Sequence, residues 1–191
     1  MNALWLFYTI VLGAAFAQIS LSMAVQWKIH AATGERLYLP TFLWLGFLLI
    51  LTVEAWVALG DYQRTTTSMS VLSMLAFLWV PLGVFTLSIF LAEPTWNGTA
   101  PADDEERFTR LRGSFFTVLL LIPGINLLHE FFLGSVGFDS DLAFAALLIL
   151  GALIGFRIRT RTADSILAGA MIVVISTYLF LEYGTISAIP S

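Results

Sequence analysis

FLLILTVEAWVALGDYQR, Phe47 to Arg64, opens as a bilayer-spanning run and then places a carboxylate, Glu54, inside it. A charged side chain in hydrocarbon is expensive and normally faces a bundle interior or water. What Glu54 means therefore depends on how the chain threads the membrane.

The rest of the chain is of the same kind. Of its 191 residues 59% are hydrophobic and only 12% charged, against about 25% charged in a soluble domain. Mean hydropathy is +0.89. Crossing a bilayer takes about 20 apolar residues per helix, and the sequence supplies six such stretches. They run over Ala3–Gln26, Tyr38–Gly60, Ser70–Ala92, Ser114–Leu133, Leu142–Phe156 and Ser165–Tyr183, with a polar linker over 93–112 whose end reads as the start of an amphipathic helix. Residues 1–27 carry no charge. They lack the basic leader of a cleavable signal and read as a true first span. The expected fold is all-α, one polytopic membrane domain of six helices covering 1–191. The chain has no cysteine, so disulfides, thiolate nucleophiles and cysteine metal sites are excluded. A net charge of −4 argues against nucleic-acid partners.

Charge then orients the chain. Of nine Lys and Arg, only Arg64 lies on one side of this threading. Lys28, Arg36, Arg107, Arg110, Arg112, Arg157, Arg159 and Arg161 share the other. Cytoplasmic loops are the basic ones, so both termini are expected outside. The outward segments hold Glu54, Asp61, Glu130, Asp139, Asp141 and Glu182. The outer half of the bundle is acidic.

Within that half, Glu54 stands sixteen residues past Tyr38, about 24 Å along a core about 30 Å thick. Asp61 follows seven residues later, on the same face near the outer mouth. Asn126 and Glu130 share a face of the fourth span. His129 and Glu130 point about 100° apart, which excludes joint ligation of one metal. If the second, fourth and sixth spans adjoin, Glu54, Glu130 and Glu182 form one acidic site with His129 nearby. The alternative is hydrated interfacial carboxylates and a Glu54 hydrogen-bonded to a neighbouring helix.

Other features carry packing readings beside functional ones. Gln18, Ser22 and Gln26 form a polar stripe that serves as interhelical glue or as a hydrophilic path. Pro81 and Pro123 are mid-span kinks, packed bends or sites of exposed carbonyls. Gly151 and Gly155 make a GxxxG face for the bundle or for a dimer. RTTTSMSVLS (Arg64–Ser73) and RTRTADSILA (Arg159–Ala168) agree at five of ten positions. Such agreement raises an inverted repeat of two three-helix units, a common transporter plan; the alternative is convergent Ser/Thr capping of helix starts.

Four stretches, GAAFAQISLSM, YLPTFLWLGFLLILTVEAW, WVPLGVFTLSIFLAEP and GSFFTVLLLIPGINLLHEFFLG, taken in order, resemble an uncharacterised family of small six-span bacterial inner-membrane proteins. The resemblance implies a six-helix bundle in that membrane. It carries over no activity, cofactor or catalytic residue.

No GxSxG, HExxH, Walker or dinucleotide-binding motif occurs, and the only histidines, His30 and His129, fall near opposite faces of the membrane. Three functions remain. The first is a small cation or proton transporter or channel with Glu54 as its coupling carboxylate. The second is a structural or accessory subunit of a larger membrane complex, with a homo-oligomer as the other assembly the chain could form. The third is an outer-leaflet lipid enzyme working through His129 and the acids.

Overall fold

A computed structural model of the chain describes residues 3–34, 37–65, 70–91, 104–133 and 140–184. It holds six helices in order: α1 (Ala3–Thr33), α2 (Leu39–Thr65), α3 (Val71–Leu91), α4 (Asp104–Leu133), α5 (Ser140–Arg157) and α6 (Arg161–Tyr183). There is no strand among the described residues, and each helix is long and apolar enough to cross a membrane. The protein is an all-α, multi-pass membrane bundle.

Several helix ends, those of α1, α2, α4, α5 and α6 among them, extend past the expected spans because hydrogen bonds, not hydropathy, terminate helices. α1 continues beyond Lys28 until Gly34 takes the left-handed conformation, φ 69°, and its N–H reaches the His30 carbonyl at 3.0 Å, a glycine C-cap. α3 begins where the Ser70 hydroxyl accepts from the Ser73 N–H at 3.0 Å, and α6 where Thr160 accepts from Ala163, both side-chain N-caps. The segment read as a linker enters α4 already at Asp104. Glu105 and Glu106 follow in the first turn, where carboxylates complement the helix dipole. The remainder, 92–103, lies outside the described residues.

Five helices form a ring: α2, α3, α4 and α5 pack in succession, α5 meets α6, and α6 closes onto α2, while α1 lies against α2 and α3. The buried side of α1 is Tyr8, Leu12, Ala15, Ile19, Ser22 and Gln26, spaced alternately by four and three. That is the seam of a shallow left-handed crossing. The polar stripe is only partly that seam. Gln18 stands beside it and gives its carbonyl to the Ser22 hydroxyl at 2.8 Å. Gln26 is buried in it, with no partner for its side-chain amide among the described residues.

The packing of the two halves corresponds in part, since α1–α2 and α2–α3 have counterparts in α4–α5 and α5–α6. α1 packs on α3, but α4 has no interface of that extent with α6. The similar segments also sit in different registers. Thr160 caps α6, whereas its counterpart Thr65 ends α2, and α3 is capped instead by Ser70. The two stretches thus share cap chemistry in different registers.

One end of the bundle is solid. Trp44 meets Phe47, Phe115 and Phe116 edge-on, at ring-centroid distances of 5.5, 5.2 and 5.4 Å, and all four are fully buried. The sequence places the basic residues at this end, and two of them are not loop charges. Arg112 is 8% exposed and Asp164 3%. The two form a bidentate pair from α4 to α6, and the same guanidinium donates to the Gly155 carbonyl of α5 at 2.6 and 2.9 Å. Phe108 and Phe116 flank it. Arg107 donates to the Leu91 carbonyl of α3, and Arg161 to the Leu37 carbonyl that precedes α2. All five ring helices are tied together here.

The GxxxG glycines serve the bundle. A Cβ on Gly151 would fall 2.5 Å from the Met171 sulfur of α6, and one on Gly155 2.2 Å from the Phe116 ring of α4. Gly155→Ala must displace a fully buried aromatic and is expected to cost about 1–3 kcal/mol, the usual range for overpacking. Gly13→Ala, with open space around it, costs nothing. Paired thermal unfolding in detergent checks both, and equal midpoints would contradict the packing.

Candidate functional site

The other end of the ring is hollow. A cavity of about 300 Å³ is lined from all six helices. On α2 its wall is Leu51, Glu54, Ala55, Ala58, Leu59 and Tyr62, an i, i+3, i+4, i+7, i+8, i+11 face of one helix. Three alanines facing the hollow from different helices, Ala58, Ala76 and Ala145, leave the room that larger residues fill at the opposite end. Below Leu51 the α2 face continues into buried Leu48, Phe47 and Trp44. The cavity is therefore blind, floored by the aromatic core.

Glu54 is half-buried in this wall. Its carboxylate has no hydrogen bond or ion pair among the described residues. It lies within electrostatic reach of Asp141 and of the Tyr8 and Tyr178 phenols. This arrangement answers what Glu54 does in an apolar run: it faces a hollow rather than a neighbouring helix. Asn126, His129 and Glu130 line the same hollow from α4. The His129 Nε2 is 2.9 Å from the Ser73 hydroxyl. Ser73 in turn is 2.8 Å from Ser70, whose residue is exposed at the start of α3. A hydrogen-bonded path thus leads from the cavity wall to the surface.

Four of the acidic-half candidates, Glu54, Asn126, His129 and Glu130, come together. Glu182 does not join them. It is exposed and accepts from the Ser140 hydroxyl at 2.7 Å, tying the end of α6 to the start of α5 outside the cavity wall. Asp141 takes the place expected for it. The carboxylate accepts from the Tyr178 hydroxyl at 2.7 Å, and both residues line the cavity. The side chain of Asp61 lies outside the described residues. Pro123 lines the cavity and Pro81 is buried, each inside an uninterrupted helix. The stripe residues Gln18, Ser22 and Gln26 are elsewhere.

Three carboxylates, one imidazole and no Lys or Arg line the hollow among the described residues. With low-dielectric walls, such a concentration of one sign focuses the field and draws in cations. The arrangement is poor for nucleophilic catalysis. Ser73 and His129 make contact, but the other ring nitrogen of His129 has no partner among the described residues, so no third group orients the imidazole. No group of three His, Cys, Asp or Glu suited to a metal ion occurs among the described residues.

Comparison with family models, curated proteins and solved structures gives no match, so the resemblance seen in the sequence rests on its four stretches alone.

Proposed function

We propose that this membrane protein is a small cation or proton carrier that binds its cargo at Glu54. One observation carries the reading: a carboxylate with no hydrogen-bond or ion-pair partner among the described residues faces a blind, acid-lined cavity in a membrane bundle. Unpaired ionisable groups at membrane depth are costly and typically mark ion or proton pathways. A subunit that only filled space would gain nothing from keeping one. Because the hollow ends on the aromatic floor, the reading is of a carrier in one of its two facing states rather than an open pore. The basic end takes the cytoplasmic side of a bacterial inner membrane. Both termini and the cavity mouth then face the periplasm, and Glu130 and Asp141 raise the local cation concentration.

Reconstitution into vesicles tests this. The protein should carry protons or monovalent cations above the rate of protein-free vesicles. Ala58 lies one helical turn from Glu54 on the same wall. Ala58→Phe puts a ring into the hollow, where there is space for it, and should lower flux more than about tenfold with an unchanged unfolding midpoint. Undiminished flux through a filled cavity would sink the proposal.

A further inference from the structure

The cavity walls say more about the cargo than its charge. On one side Trp5, Tyr8, Tyr62 and Phe77 nest together: Tyr8 and Phe77 have centroids 4.4 Å apart, Tyr62 and Phe77 stack at 5.0 Å, and Trp5 meets Phe77 edge-on at 5.1 Å. On the other, Phe144 and Tyr178 stack at 4.2 Å with planes 5° apart. All of these except Trp5 line the hollow. The Tyr178 hydroxyl is turned to Asp141 and the Tyr8 hydroxyl toward the Ala55 carbonyl, at 2.7 and 3.5 Å. What these two residues offer a guest is ring surface more than oxygen.

That ring chemistry adds little for a bare alkali ion, which needs a cage of oxygens in place of its hydration shell. It is right for an organic ammonium. Aromatic faces attract such a cation, and recognition of methylated ammonium by aromatic walls is the best-known use of that attraction. The volume agrees. About 300 Å³ is the low end of small-molecule pockets, with room for a guest of a few heavy atoms. Glu54, a carboxylate with no hydrogen-bond or ion-pair partner among the described residues, suits a positively charged group.

We infer that the cavity binds a small organic ammonium, with the charge at Glu54 and the carbon skeleton between the Phe77 and Phe144–Tyr178 walls. This inference rests on the carrier reading of the same site and narrows its substrate class.

The test is equilibrium binding of radiolabelled tetramethylammonium to the purified full-length protein in lipid nanodiscs, with sodium, potassium and methylammonium as competitors. The expected result is saturable binding that methylammonium competes for and a large excess of sodium or potassium does not. Glu54→Gln should weaken binding at least tenfold, and Phe77→Leu, which keeps the apolar volume and removes the ring, several-fold. Thermal unfolding of each variant confirms that the fold is intact. Absence of saturable binding to the wild-type protein overturns the inference, and so does binding that both variants keep. If vesicles carry sodium, potassium or protons through Glu54 while no ammonium binds, only the substrate class falls. If neither binding nor flux is found, the carrier reading falls with it.

Discussion

An Asp164→Ala variant should lose about 3–5 kcal/mol of stability, the usual result of removing one partner from a buried ion pair. The carboxylate is 3% exposed and holds the Arg112 guanidinium through both oxygens. Without it, Arg112 keeps a full charge in a pocket walled by Phe108 and Phe116. The Gly155 carbonyl is its remaining hydrogen-bond partner. The damage spreads because this cation joins α4, α5 and α6 at once. Changing Arg112 to Met and Asp164 to Leu together should recover most of the loss, since two apolar side chains leave no stranded charge. Thermal unfolding in one detergent, with the folded fraction after extraction, reads both effects. A wild-type midpoint for Asp164→Ala would show that the pair does not hold the basic end together.

Glu54→Gln is expected to do the opposite: abolish function and spare the fold. Glutamine has the shape of glutamate without its charge. Because the wild-type carboxylate has no hydrogen bond or ion pair to lose among the described residues, the substitution breaks no contact. It also removes the cost of holding a charge away from bulk water, so the unfolding midpoint should be equal or higher. Transport should fall by more than about tenfold, the effect of losing roughly 1.4 kcal/mol or more of cargo binding. A structural Glu54, bonded to a neighbouring helix, would show the reverse pattern: lowered stability and no selective functional loss.

The six spans were legible because bilayer thickness sets their length and hydropathy reports it residue by residue. Their depth was legible too, so that Glu54, Asn126, His129 and Glu130 could be placed in one half of the bundle. Azimuth was not. Whether Glu182 or Asp141 reaches the hollow depends on how far α5 and α6 are rotated against α2, and no local pattern records that. Asp141 counted only as one of the outward acids, and nothing in the sequence singles out Tyr178. The Arg112–Asp164 pair was hidden for a similar reason. Both residues sat where charges ordinarily mark the end of a span. Only the early start of α4 at Asp104 carries Arg112 inside, to meet a residue 52 positions away. The likeness of the two stretches rests on Ser and Thr at helix starts, which look alike whatever the helix packs against.

The most direct test of the account is cation flux into vesicles reconstituted with wild-type protein or with Glu54→Gln at equal density. The account predicts flux above the protein-free rate for the wild type and the protein-free rate for Glu54→Gln, at matching unfolding midpoints. Equal flux through both proteins would contradict it, because the carboxylate facing the cavity would then have no part in transport.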